Sequence, residues 1–311
     1  MDSLYAVFVA PFVSMGDNPV FLVEVVANGL LTGVMYSLVA LGFVLIFKAS
    51  GVFNFAQGVM VLFAALTLVG LMQYGVPAWL ALILTVAIMI ALAFGIERVM
   101  LRPLVNQPPI ILFMATIGLT FFLEGFGQML WGSNVKRLDL GIPQQPLEIH
   151  GVLINQFDLV AAAAGAIMVS VLAVFFQKTT IGRALRAVAD DHQAALSVGI
   201  PLKTIWVVVW SVAGIVAMVA GIMWGTQSGV QFSLSLIALK ALPVLILGGF
   251  TSVPGAIIGG LIIGASEKVA EVYLGPYVGG GIESWFPYVL ALAFLLVRPQ
   301  GLFGEKIIDR V

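Results

Sequence analysis

Six ionisable side chains fall within stretches that are otherwise apolar: Glu24, Glu124, Lys240, Glu267, Lys268 and Glu271. A charge in the hydrocarbon core of a bilayer is costly unless it meets a partner, a water-filled cavity or a solute route, so each marks a candidate for function. Glu124 lies in Leu123-Glu124-Gly125, and Lys240 is the lone charge of its segment. They can pair with each other, contact a partner subunit or line a passage. Glu267 and Glu271 are four residues apart, on one face of a helix, with Lys268 beside them. Two carboxylates so placed suit acid–base work, but a wet helix end near the outer surface accounts for them more simply. Glu24, at the outer end of its span, reads as a group that snorkels to water. Asn54 and Gln57 open an apolar span in Val52-Phe53-Asn54-Phe55-Ala56-Gln57-Gly58, where uncharged polar groups must find hydrogen bonds. They either bond across helices or face a substrate path.

Other chemistry is missing from the sequence. It has no cysteine and two histidines far apart, His150 and His192, so neither a thiolate site nor an obvious metal cluster is expected. No His-Glu-x-x-His, phosphate-cradling loop or Gly-x-Ser-x-Gly motif occurs, so neither a hydrolase nor an ATPase is expected in this chain. The elements that must hold the polar groups are set by composition. Of 311 residues, 61% are hydrophobic and 9% charged, against about 25% charged in a soluble domain. The net charge of −1 excludes the basic face that a nucleic-acid partner would require.

A span needs about 20 apolar residues. Reading breaks at Ser50-Gly51, Gly75-Val76-Pro77 and Pro108-Pro109 places spans near 22–47, 53–73, 79–98 and 110–131. Further spans fall near 158–177, 204–224, 255–273 and 284–298, with 234–250 a short or broken crossing that holds Lys240 and Pro243. The predicted fold is therefore an all-α polytopic membrane protein with about eight or nine transmembrane helices. Residues 1–19 read as an interfacial lead-in, 20–304 as one transmembrane domain and 305–311 as a tail. In the polar loop 132–157, Leu147-Glu148-Ile149 and Val152-Leu153-Ile154 suggest a small hairpin. Glycines spaced along helices, such as Gly29 with Gly33, Gly214 with Gly221, and Gly255, Gly259 and Gly264, suit close packing in one bundle, with a dimer seam as the sharper reading.

Placing Arg98 and Arg102 inside puts ten of the fourteen Lys and Arg residues on that side, which sets the N-terminus outside and the C-terminus in the cytoplasm. The loop 178–203 is then cytoplasmic. Its core holds Gly182, Arg183, Ala184, Arg186, Ala187, Asp190, Ala194 and Gly199. The alanines favour a short helix, and Gly199 with Pro201 should stop it. Such a helix has little of its own chain to bury against and is a docking candidate.

At these positions the sequence resembles the high-affinity branched-chain amino acid ABC transporter permeases, the smaller of their two types. The resemblance rests on Val52 to Gly58, on Ile96-Glu97-Arg98-Val99 with Arg102-Pro103, and on Gly182-Arg183-Ala184-Leu185-Arg186-Ala187. It continues in Lys240-Ala241, Leu247-Gly248-Gly249-Phe250 through Gly260, and Val297-Arg298-Pro299-Gln300-Gly301. It implies a complex in the bacterial inner membrane: a homologous second permease, two cytoplasmic ATPases that use the ATP, and a periplasmic binding protein. Residues 182–200 would then be the helix that couples to the ATPase, and this chain would bind no cofactor. Where the family often has His, Gly and an acidic residue after Asn-Phe-Ala, this chain has Gln57-Gly58-Val59. That departure leaves the cargo open among branched-chain amino acids, urea, short amides, and aromatic or dicarboxylic acids. Read from the residues alone, a self-contained channel or secondary transporter remains the competing class.

Overall fold

The computed structural model describes residues 10–304 except 105, 106, 144, 191–194, 196 and 198. Its first half runs α1 (Ala10–Asp17), α2 (Pro19–Ser50), α3 (Gln57–Gln73), α4 (Ala78–Ile96), a π turn (Glu97–Leu101) and α5 (Pro109–Trp131). A hairpin, β1 (Pro146–Ile149) and β2 (Val152–Asn155), leads to α6 (Gln156–Lys178), α7 (Thr180–Asp190) and α8 (Leu202–Ser228). A 3-10 turn (Phe232–Leu236) opens α9 (Ile237–Gly248), followed by α10 (Val253–Tyr273), α11 (Gly275–Val278), a second 3-10 turn (Ile282–Ser284) and α12 (Phe286–Val297). Among the described residues, six helices are long and apolar enough to cross a membrane: α2, α4 with its π turn, α5, α6, α8 and α10. Each expected span is present as a helix. The segment expected to be short or broken is both: a 3-10 turn, then 12 residues of α9 with Pro243 inside. Of the lead-in, residues 1–9 lie outside the described residues, as do residues 305–311 of the tail.

The described chain divides into two compact units. The larger holds residues 38–140 and 167–239 and is built around α3, in which Gln57 through Gly70 are all buried. At 17 residues α3 is about 25 Å long. Because protein covers it, its ends need not reach the headgroups, and a short helix suffices. Helix α8 packs on both α3 and α4. At Gly221 it comes so close to α3 that any side chain would strike the Val61 carbonyl. The Trp206 indole N–H donates to the Ala49 carbonyl at 3.2 Å and fastens α8 to the end of α2. After α4 the chain underwinds into the π turn, where Arg102 donates twice to the buried Glu97, at 3.2 and 3.0 Å. Of this basic cluster Glu97 is buried, while Arg98, Arg102 and Pro103 are exposed.

The smaller unit holds residues 10–37, 141–166 and 240–304 of the described chain. Here α2 and α10 run antiparallel, backbone against backbone. A Cβ on Gly29 would lie 2.7 Å from Ala265 Cα, and one on Gly33 would lie 2.9 Å from Leu261 Cα. The Ser37 hydroxyl donates across this seam to the Ile257 carbonyl at 3.2 Å. These glycines therefore serve packing within the chain. The hairpin forms as expected, with Ile149 opposite Val152 and its two-residue turn at His150 (φ 52°) and Gly151 (φ 84°). Positive φ at both positions matches the right-handed twist of the strands. The hairpin is tied to α2: the Leu153 N–H donates to Glu24 at 3.0 Å, and Asn28 donates to the Leu153 carbonyl at 3.3 Å. Glu24, expected to seek water, also holds a strand through this exposed bond.

Candidate functional site

The charged loop centres on α7. Helix α6 ends at Lys178, and Thr179 caps the next helix by accepting from the Gly182 N–H at 3.0 Å. The corner is tight, because a side chain on Gly182 would collide with the Phe176 carbonyl. Only glycine permits α7 to start there. Along α7, Leu185 and Val188 are buried, Ala184 and Ala187 are half-buried, and Arg183 and Arg186 are exposed. Arg186 reaches back toward the Gln177 carbonyl at 3.5 Å. The expectation that this helix has little of its own chain to bury against is corrected here. Its apolar edge packs against its own unit, including α8, and its arginine edge is the free one. Asp190 ends the described helix, and Ala194 lies outside the described residues. Gly199 has φ 85°, and the Ile200 N–H closes the turn on the Ala195 carbonyl at 3.0 Å, as expected of a glycine stop.

Asn54 and Gln57 are both fully buried in the larger unit. Asn54 bonds locally: it accepts from the Ala56 N–H at 3.1 Å and points its amide at the Met60 sulfur, 3.7 Å away. Gln57 lies against Gly42, and among the described residues neither of its amide atoms has a partner. The expected hydrogen bonds across helices are therefore not made by these side chains. The cross-helix bond comes from Thr116, whose hydroxyl accepts from the Phe55 N–H at 3.1 Å and ties the loop before α3 to α5. Asn54, Ser50, Thr116, Trp206 and Trp210 border a cleft of about 10 Å³, room for roughly one water.

Lys240 and Glu124 lie in different units, and Lys240 finds its partner elsewhere. The Lys240 ammonium donates to Glu267 at 3.1 Å and lies 3.8 Å from Glu283. Glu124 is half-buried on α5 and makes no hydrogen bond or ion pair among the described residues. For Glu267 the expected wet helix end is corrected. Glu267 is buried, accepts from the Tyr36 hydroxyl at 3.0 Å and belongs to the Lys240 pair. Glu271 accepts the backbone N–H groups of Gly281 and Glu283, each at 3.0 Å, and so pins the turn that follows α10. Three members of this cluster were not singled out from the sequence: Tyr36, Asp158 and Glu283. Tyr36 looks like any core tyrosine, and Asp158 and Glu283 look like ordinary loop-end acids. Only the antiparallel packing of α2 on α10 brings Tyr36 to Glu267. Among the described residues no three His, Asp or Glu side chains are placed to hold a metal ion.

Long apolar helices, a charged helix carried between two of them and ion pairs set inside spans define a multi-pass helical membrane transport protein. Residues 25–298 match the family model for the permease component of branched-chain amino acid transport systems. The chain belongs to that family. It is 29% identical over 299 residues to the high-affinity branched-chain amino acid transport permease BraD of Pseudomonas aeruginosa, covering 91% of this chain and 96% of that one. It is 28% identical over 316 residues to the permease LivH of Salmonella typhimurium, covering 96% and 100%. An archaeal relative, a probable branched-chain amino acid permease of Methanocaldococcus jannaschii, is 29% identical over 286 residues, covering 86% and 88%.

Proposed function

We propose that this chain is the smaller permease of an ABC importer for branched-chain amino acids, gripped by cytoplasmic ATPases at α7 and fed from the hairpin side by a binding protein. The observation that carries the reading is the division of α7 into two edges. Leu185 and Val188 lock it to its own unit, so a push on it moves the spans at either side as a rigid body. Arg183 and Arg186 stay outside that lock, available to acidic or carbonyl groups of a partner. The Lys and Arg bias puts this loop in the cytoplasm, where an ATPase works. The near full-length match to permeases named for branched-chain amino acids favours that cargo over urea, amides or dicarboxylates.

The test is a double charge reversal, Arg183→Glu with Arg186→Glu, in the complete transporter. ATPase recovered with the permease, and ATP-driven uptake of labelled leucine into vesicles, should each fall about tenfold or more. Membrane insertion should be unchanged, because neither arginine lies in a span. Wild-type recovery together with wild-type uptake would remove α7 as the coupling element. Leucine uptake that persists without ATP would replace the importer with a self-contained carrier.

A further inference from the structure

The charge cluster of the smaller unit is built from five pieces of chain. It reads as one line of alternating sign: Asp158, Lys268, Glu283, Lys240, Glu267, with Tyr36 at the end. Asp158 at the start of α6 is within electrostatic reach of Lys268. Lys268 is 3.6 Å from Glu283, Glu283 is 3.8 Å from Lys240, and Lys240 is 3.1 Å from Glu267. Glu267 is six residues, about 9 Å, short of the end of α10, while Asp158 opens α6 and Glu283 lies in the turn beyond α10, so the line runs from the helix ends into α10.

Three features separate this line from a plain structural ion pair. The first is its looseness at Glu283: both contacts exceed hydrogen-bond length, so that carboxylate is held by charge alone. Each ammonium has three donors. Lys240 spends one on Glu267, and Lys268 makes no hydrogen bond among the described residues, while their side chains are 31% and 36% exposed. Ammonium groups exposed to this extent are costly against acyl chains, so this face meets water or polar matter. The second is an acidic surplus, since Asp158, Glu267, Glu271 and Glu283 outnumber the two lysines. The third is unused acceptors at both ends of the line. Among the described residues Glu267 Oε2 and Asp158 Oδ1 are buried atoms that accept nothing, and the Glu267 side chain is only 2% exposed.

Free donors in the middle and free acceptors at the ends, with negative charge in excess, fit a ligand carrying both a carboxylate and an ammonium. We propose that this line is a zwitterion subsite of the permease itself, which takes the head group of an α-amino acid as it enters from the hairpin end. The ligand carboxylate displaces Glu283 from Lys240 and Lys268. Its ammonium is held by Glu267 Oε2 or Asp158 Oδ1. Glu283 then stays on its turn, pinned by Glu271 and preceded by three glycines of positive φ, Gly279, Gly280 and Gly281. The subsite rests on the amino-acid reading of the cargo.

The experiment uses the complete transporter in vesicles of phosphatidylcholine and phosphatidylglycerol, neither of which carries a primary ammonium to imitate that of the ligand. ATP-driven uptake of labelled leucine is measured at saturating loaded binding protein. Lys268→Met and Asp158→Asn should each lower uptake about tenfold, the effect of losing one charged contact. The double variant Lys240→Met with Glu267→Met removes both partners of the buried pair, so no lone charge is left behind. It should assemble in normal yield and still transport poorly. Wild-type uptake by the double variant would reduce the pair to a structural bond, and wild-type uptake by Lys268→Met and Asp158→Asn would overturn the subsite while leaving the cargo reading intact. A wild-type transporter that takes up no leucine would bring down the cargo reading and the subsite together.

Discussion

Glycine decides more in this chain than charge does at the scale of single residues. Where α2 meets α10, Gly29, Gly33, Gly260 and Gly264 leave no room for side chains. In a membrane, helix association gains little from hydrophobic burial, so this close backbone contact is what holds the pair. Gly264→Val should therefore cost roughly 1–3 kcal/mol, as overpacking does. The check is thermal unfolding of the detergent-solubilised protein. A variant as stable as the wild type would mean that α2 and α10 do not touch at this point. The helical spacing of these glycines made them visible in the sequence. The partners of buried polar groups were not visible. Lys240 was recognisable as a costly lone charge, yet its partner Glu267 sits 27 residues away on another helix. Asn54 stood out as polar in an apolar setting, but its bond to Ala56 is local and the bond across helices belongs to Thr116, a residue no pattern distinguishes.

Elements were more legible than contacts because apolar length and turn residues act locally. The nine apolar helices among the described residues, the hairpin and the shortness of α9 all follow from where Gly, Pro and charge interrupt the apolar runs. The sequence did not disclose how α7 is held. Alternation of Arg183 and Arg186 with Leu185 and Val188 shows two faces, but whether the apolar face finds a home depends on α8, which the chain reaches only after Pro201. The bend between α6 and α7 sets the direction in which α7 leaves the span. Its tightness comes from Gly182, whose position a Cβ would contest with the Phe176 backbone rather than with a movable side chain. Gly182→Ala is the smallest possible test of the corner. It should force α7 off its seat and lower ATP-driven leucine uptake about tenfold, the size of effect expected when a coupling element is misplaced. The same variant should insert normally, since α6 and α8 keep their apolar lengths. Undiminished uptake would show that the angle of this corner is not transmitted to the spans.

For the whole molecule the question is which loops share a side of the membrane, and α9 makes a simple count of crossings ambiguous. The answer does not need that count. Helix α6 joins the hairpin to α7 with 23 residues, about 35 Å, enough to cross the roughly 30 Å core of a bilayer. A crossing by α6 would put the hairpin and the arginines of α7 on opposite sides. Within the smaller unit, the hairpin is tied to the beginning of α2, and Phe21 stacks edge-on against Tyr273 at the end of α10. The last described residues lie at the other end of α10, where the Leu302 and Phe303 N–H groups donate to the carbonyls of Leu247 and Gly248 at 2.8 and 3.1 Å. The hairpin and residues 302–303 are thus separated by the 21 residues of α10, whatever α9 does. On the proposed orientation, with the basic loop inside, residues 302–303 would join α7 in the cytoplasm and the hairpin would face out. The chain has no cysteine, so a single introduced one is the only thiol. In intact cells a membrane-impermeant maleimide should label Glu148→Cys, and should reach Arg183→Cys and Phe303→Cys only after the membrane is opened. Labelling of positions 148 and 183 from the same side would mean that α6 does not cross. Labelling of 183 alone in intact cells would invert the molecule and take the ATPase off α7.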